Sequence, residues 1–342
     1  MPSSLAPADA RRHLALVTNS ELKTFRRCVR EHHHAYRLGY RSLGEAEALR
    51  FGSLFHRGLE AWWLAYGHEE PLAAAIDAMG PHAQDEYDLV RAGVLMQGYD
   101  ARWADEELDV LAVERQFAAP LINPATGAAS RTYEVAGKVD ALVRLRSDGR
   151  VYIVEHKTTS EDIGLGSQYW ERLQLDSQVS IYFAGARSLG YDPAGCLYDV
   201  ISKPRQAPLR ATPEESRKYT KRGDLYANQR AEDETPDEYR QRLVELVAAS
   251  PERFYQRGLV VRLEEEERDA AFDSWQTARA IREAELAQRY PRNPDICMRY
   301  GRLCSYFPVC TGKASLEDPT LFVRVENVHQ ELSLASEADA AE

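Results

Sequence analysis

The stretch Gly137-Lys138-Val139-Asp140-Ala141-Leu142-Val143-Arg144-Leu145-Arg146-Ser147-Asp148-Gly149-Arg150-Val151-Tyr152-Ile153-Val154-Glu155-His156-Lys157 decides how this chain is read. Two runs that alternate apolar and polar residues flank Asp148-Gly149, and Asp-Gly in that setting is a strong short-range hairpin signal. With Asp148-Gly149 as a two-residue loop, Ser147 faces Arg150, Leu142 faces Glu155 and Asp140 faces Lys157. Side chains alternate across a strand, so Asp140, Glu155 and Lys157 then project from one face. The other face sets Val143 opposite Val154 and Leu145 opposite Tyr152, an apolar surface that specifies the register. Carboxylate oxygens are hard ligands suited to Mg²⁺ or Mn²⁺. Such an ion polarises a phosphoryl oxygen and acidifies a bound water. A neighbouring lysine orients that water or stabilises the charge developing on phosphate. The same residues also make an ordinary cross-strand salt bridge on a solvated face, and the hairpin alone leaves both readings open.

Upstream of this hairpin the chain reads as helical. Thr18, Asn19 and Ser20 are N-cap residues, and Leu22, Phe25, Val29 and Tyr36 recur at helical spacing behind them. Further helices are expected over 45–66 and between Pro71 and Glu107. The texture turns strand-like at 111–119. Downstream come a helix over 168–189, a strand over 196–202, a helix over 236–249, a strand over 257–263 and a charged helix over 264–290. The expected organisation is a flexible leader (1–17), one α/β domain (18–315) and a tail (316–342) whose end, after Gln330, is acidic and disordered. Within the domain, 18–107 is the helical part, 108–203 the core, and 204–315 a C-terminal helical and cysteine part.

The composition is that of a globular protein, with 44% hydrophobic and 28% charged residues. No apolar run approaches the roughly 20 residues needed to span a bilayer, so no membrane role is expected. The start of the chain lacks the layout of a secretory signal, which makes a cytoplasmic location the expectation. A net charge of −11 is not that of a typical nucleic-acid binder, although a basic groove can exist on an acidic protein. One segment fits: from Lys203 to Arg222 there are seven basic residues and two acidic ones, either a binding surface or a solvated loop.

Several motifs then follow in one order. Gly137-Lys138-Val139-Asp140 with Val154-Glu155-His156-Lys157 resembles the PD-(D/E)XK nuclease signature. Phe51-Gly52-Ser53-Leu54-Phe55-His56 resembles the Gly-x-x-x-His helix of its RecB-type branch, and Gln178-Val179-Ser180-Ile181-Tyr182 the Gln-x-x-x-Tyr motif of that branch. Cys28 with Cys297, Cys304 and Cys310 is similar to the cysteine pattern of the iron-sulfur exonucleases there, among them AddB-type, CRISPR-adaptation and phage enzymes, although the spacing between Cys297 and Cys304 is wider than in many of them. The resemblance implies a central mixed sheet flanked by helices, with the chain ends tethered by a 4Fe-4S cluster on those four thiolates. It implies that His56, Asp140, Glu155 and the His156 main-chain carbonyl hold Mg²⁺ or Mn²⁺. Asp140, Glu155, Lys157, Gln178 and Tyr182 would be the catalytic set, with Gln178 and Tyr182 reaching the same phosphate or base. Four thiolates also suit Zn²⁺. Cys196 lies outside the pattern and reads as a small buried residue.

His32, His33 and His34 point in different directions on a helix and read as a solvated patch. Glu60 reads as solvated. Arg26, Arg27 and Arg30 are either phosphate contacts or ordinary helix solvation. Two functions follow from the resemblance. The first is a metal-dependent DNA exonuclease acting in recombination, repair or CRISPR adaptation, with DNA as partner and a homo-oligomer or DNA-processing proteins as further partners. The second is a catalytically weak iron-sulfur DNA-binding or assembly subunit.

Overall fold

The computed structural model describes residues 14–332 apart from 45, 46, 69 and 300. In chain order the elements are β1 (Ala15–Thr18), α1 (Asn19–Arg27), α2 (Val29–His32), β2 (Tyr40–Ser42), α3 (Glu47–Leu64), α4 (Pro71–Met79) and α5 (Glu86–Trp103). Then follow β3 (Leu108–Ile122), β4 (Ala129–Leu145), β5 (Val151–Thr159), α6 (Gln168–Leu173), α7 (Ser177–Ser188) and β6 (Pro193–Ser202). The remainder comprises α8 (Pro236–Ala249), β7 (Tyr255–Val260), α9 (Glu264–Ala287), β8 (Met298–Arg299), β9 (Arg302–Leu303), α10 (Phe307–Cys310) and β10 (Phe322–Arg324).

The expected mixed α/β architecture is present. A six-stranded sheet carries β3 on one edge of β4; along the other edge of β4 lie β1 and then β5, followed outward by β6 and β7. The β5–β6 and β1–β4 pairs are parallel and the others antiparallel. One face packs under α3, α4, α5 and α8 through Phe55, Trp62, Trp63, Leu95, Tyr99 and Leu243. The opposite face packs under α1, α7 and α9 through Leu22, Phe25, Val179, Phe183 and Ile281. Coverage on both faces buries Tyr152 and Val154 of β5 on one side of the sheet and Ile153 on the other. Each fully buried aromatic or aliphatic side chain here stabilises the fold by roughly 1.5–3 kcal/mol. Close packing shows at Phe117, which fits between two glycines: a Cβ on Gly185 would stand 2.5 Å from its ring, and one on Gly137 2.7 Å.

The hairpin differs from the expected register by two residues. Ala141 faces Val154, Leu142 faces Ile153 and Val143 faces Tyr152. The ladder closes with Leu145 donating its N–H to the Arg150 carbonyl, and Gly149, at φ +69°, donates back to Leu145. The loop is thus four residues, Arg146 to Gly149. Asp148 supports it by accepting from the Arg150 N–H and the Tyr152 hydroxyl. A two-residue slip leaves every side chain on its expected face, because the strand period is two.

Three further expectations change. The leader is shorter than 1–17, because Ala15–Thr18 pair in parallel with Tyr133–Ala136 and Val17 is fully buried. The tail is anchored beyond 315, since β10 pairs with β2 and the Gln116 amide reaches the Leu332 carbonyl. The disorder expected after Gln330 falls largely on 333–342, which lie outside the described residues. The expected 168–189 helix is two helices, because Asp176 takes an extended conformation and caps α7 by accepting from the Gln178 N–H. No helix among the described residues is long and apolar enough to cross a membrane.

Candidate active site

The edge of β4 that faces β1 and β5 is forked. β1 leaves it at Ala136 and β5 joins it at Ala141, so Gly137 to Asp140 have no ladder partner on that side. Asp140 stands in this gap. Continued, the ladder would set Asp140 against Glu155, but instead its Oδ2 accepts the His156 main-chain N–H at 2.7 Å. Burial opposes ionisation of Asp140, yet His56, His156 and Lys157 together with that N–H outweigh it and hold its pKa below the ordinary carboxylate value.

Glu155, one residue before on β5, is 1% exposed. Its Oε1 accepts from the Lys157 ammonium and, at 2.8 Å, from the Gln178 amide; its Oε2 is buried without a partner. Burial pushes its carboxyl up to about 8. Burial also opposes the charge on Lys157, but Glu155 and Asp140 overcome it and the ammonium is held charged well above its ordinary range. Gln178 continues the chain by donating to the Tyr182 hydroxyl at 2.7 Å. Tyr182 is 8% exposed and Gln178 partly exposed, and Gln178 links the Tyr182 hydroxyl to Glu155. One helical turn separates them on α7, as their spacing requires.

His56 enters from α3 on the other side of the gap. Burial lowers its pKa to about 4, opposed by Asp140, so the imidazole is neutral and able to act as a ligand. Its ring lies 6.3 Å, centroid to centroid, from that of His156. Gly52, one turn earlier, allows this approach: a Cβ there would stand 3.2 Å from Thr158 Oγ1 on β5. The structure therefore brings His56, Asp140, Glu155, His156 and Lys157 into one neighbourhood. Among the described residues no three His, Cys, Asp or Glu side chains form a ready-made metal site, the cysteines included.

The family model described as the PD-(D/E)XK nuclease superfamily matches residues 17–311. The chain belongs to the PD-(D/E)XK nuclease superfamily. No curated protein matches it. Among solved structures it is similar to the crystal structure of SSO0001, with 14% identity over 58% of this chain and 73% of that one, and a TM-score of 0.21. That likeness is too slight to bear on fold or chemistry. Membership fits the geometry of the fork, where the aspartate of one strand meets the acidic and basic residues of the next.

Sequence reading missed two charged groups near the nuclease signature, Glu114 and Asp199. Glu114 on β3 adopts φ +51° and pairs with Lys138; burial, then Asp140, raises its carboxyl to about 7. Asp199 on β6 is fully buried, accepting from the Tyr99 hydroxyl (2.7 Å) and from Arg257 (2.9 Å), with His156 Nδ1 at 3.4 Å. No sequence signal marked either one, since a charge in a strand becomes notable only when neighbouring elements bury it. Glu60 is half-buried, and burial raises its pKa, so the solvated reading does not hold.

The cysteines behave differently from one another. Cys196 is fully buried in β6. Cys28, Cys297, Cys304 and Cys310, all free thiols, line one small cavity with Ile296, Tyr306 and Phe307. Cys28 is extended (φ −159°, ψ 113°), which breaks the expected long first helix between α1 and α2 at this thiol. Two bonds tie the ends together around the cavity, from the Arg30 N–H to the Pro291 carbonyl and from the Asn293 amide to the Arg27 carbonyl. Arg27 pairs with Glu31, and Arg30 binds the Tyr290 carbonyl, so both are engaged structurally; Arg26 reaches Ser177 Oγ. The histidine run is not a solvated patch. His32 is 1% exposed and 2.8 Å from Glu21, and burial lowers His34 to about 4.

Proposed function

We propose that this chain is a divalent-metal-dependent DNA exonuclease of the RecB-type branch. The observation that carries the reading is the buried, unpartnered Oε2 of Glu155 beside Asp140 and His56 in the sheet fork. A buried carboxylate oxygen without a donor calls for a cation. His56, Asp140, Glu155 and the His156 main-chain carbonyl would hold Mg²⁺ or Mn²⁺. Bound there, the ions supply a polarised phosphoryl group and an acidified water. Lys157, held charged beside Glu155, would stabilise the charge developing on the phosphate. Gln178 and Tyr182 fix the Glu155 side chain and confine water at the base of the gap.

The four thiols around one apolar cavity are a soft donor set fit for a 4Fe-4S cluster, which would fasten the N-terminal helices to the C-terminal segment. A single Zn²⁺ is the second reading, since the same four thiolates suit that ion. Anaerobic purification with a visible spectrum and iron, sulfide and zinc analysis decides between them. For the activity, labelled linear and circular DNA are incubated with Mn²⁺, Mg²⁺ or chelator. Metal-dependent loss of linear DNA with circles intact is expected. Retention of DNA without product would replace the enzyme with an assembly subunit, and cleavage of circles would replace exonuclease with endonuclease.

A further inference from the structure

The segment between β6 and α8 is long and carries only one 3-10 turn, Glu214–Ser216. Loops beyond about 12–15 residues without secondary structure are uncommon in compact domains unless they are functional or disordered. This one is ordered by its own hydrogen bonds. At its root, the Lys203 N–H bonds the Thr159 carbonyl, and Thr159 pairs with Ser202 across β5 and β6. It thus springs from the end of β6, beside the end of β5, the strand that carries Glu155 and Lys157. Its base is clamped: Glu234, 2% exposed, accepts from the Leu209 N–H and is gripped by Arg242. Above the clamp the segment doubles back on itself. The Thr212 N–H meets the Arg230 carbonyl, the Tyr226 N–H meets the Lys218 carbonyl, and the Thr220 N–H meets the Asp224 carbonyl. Gly223, at φ +88°, makes the final turn.

The tip of this finger has an unusual surface for a chain of net charge −11. Tyr219 and Tyr226 are 56% and 46% exposed. Lys218, Lys221 and Arg222 are exposed, and among the described residues no acidic side chain pairs with them. Aromatic rings with cations between them match the chemistry of an unpaired nucleic-acid strand. Bases stack on the rings, and phosphates meet the cations. A duplex offers the cations its phosphates but keeps its base faces stacked within.

We propose that the finger Thr212–Arg230 is a contact for single-stranded DNA, with Tyr219 and Tyr226 stacking bases and Lys218, Lys221 and Arg222 holding the backbone. This rests on the nuclease reading above and adds the surface that would hold the strand outside the fork.

The test is binding of the full-length protein to labelled oligothymidine and to a duplex of equal length, in chelator so that no cleavage occurs. Tyr219→Ala/Tyr226→Ala is expected to weaken single-strand binding about tenfold or more while leaving duplex binding unchanged. Lys218→Gln/Lys221→Gln/Arg222→Gln is expected to weaken both, and to lower the slope of log affinity against log salt on the single strand by roughly two. Thermal melting checks that both variants fold. Unchanged single-strand binding in both variants overturns the proposal; so does equal loss on duplex and single strand in the tyrosine variant. A parallel cleavage assay on the wild type separates the two readings. Finger-dependent binding without cleavage refutes the nuclease alone, and cleavage with finger-independent binding refutes the finger alone.

Discussion

Asp199 offers the sharpest stability test. Its carboxylate is fully buried, 2.9 Å from a guanidinium nitrogen of Arg257, whose side chain is 7% exposed. Arg257 has one other carboxylate, Glu106, at 30% side-chain exposure, and it stacks on Trp103. Asp199→Ala therefore leaves a buried guanidinium and the Tyr99 hydroxyl short of their main acceptor. Breaking a buried pair by removing one partner costs about 3–5 kcal/mol. With an unfolding entropy of about 2.1 cal/mol/K per residue, 342 residues give about 0.7 kcal/mol/K, so about 4 kcal/mol lowers Tm by about 5–6 °C. Replacing both partners by apolar residues, Asp199→Leu/Arg257→Met, is expected to recover most of the loss, since neither charge is then stranded. Burial works against the Asp199 charge, but Arg257 and His156 hold its pKa below the ordinary value. A depressed folded-state pKa contributes stability above the unfolded carboxylate pKa, near 3.9, and loses it as pH falls further. The variant's deficit is thus constant from pH 5 to 8 and shrinks below about 4. Melting by circular dichroism across that range measures it. A single variant melting within about 1 °C of wild type at pH 7, or a double variant worse than the single, would refute the reasoning.

Asp140→Ala and Lys157→Ala are each expected to lower metal-dependent cleavage at least about 100-fold without loss of fold or of any cysteine-bound centre; wild-type-like turnover by either, in gel assays, removes it from the site. His34 is buried and neutral with a pKa of about 4, so its contribution is complete above pH 6.5 and declines toward pH 4. Melting between pH 7 and 5 should show about 1–2 kcal/mol of that loss, and His34→Phe should flatten it. Cys28→Ser should remove the visible chromophore, or the bound zinc, together with the protection of the first two helices in hydrogen exchange; retained metal at full stoichiometry would exclude Cys28 as a ligand. Gly185→Ala brings a methyl to 2.5 Å of the Phe117 ring and should cost about 1–3 kcal/mol by overpacking, read as a lower Tm.

The sheet was legible in the sequence because its signals are local. Alternation around Asp148-Gly149 placed β4 and β5, and the N-cap residues at Thr18 placed α1. The turn length was not legible. Ser147 can sit within either a two- or a four-residue loop, and the choice depends on Asp148 bonding Arg150 and Tyr152, a contact of the folded loop. The error did no harm to the site because it was even. A slip of one would have put Glu155 on the opposite face, whereas a slip of two left it on the expected one. β1 was illegible for a different reason: four residues are too few to show alternation, and their strand state comes from pairing with β4.

At the site, sequence could place residues on faces but not say what stands behind them. Gln178 and Tyr182 read as substrate contacts because their spacing puts them on one helical face, and the hydrogen bonds that link that face to Glu155 could not be read from spacing. Glu114 and Asp199 were invisible because a charge in a strand becomes notable only when neighbouring elements bury it; β3 does this to Glu114 beside Asp140, and α5 with β7 does it to Asp199. The consequence reaches beyond bookkeeping of residues. Three carboxyls, Glu114, Asp140 and Glu155, lie in electrostatic contact in the fork against Lys138 and Lys157, and burial lifts two of them toward neutrality. On the metal reading proposed above, each divalent cation would relieve carboxyl repulsion as well as gain ligands. The fork in β4 keeps Asp140 out of the β5 ladder, so that its side chain takes the His156 N–H and would be placed to share such an ion with its neighbours.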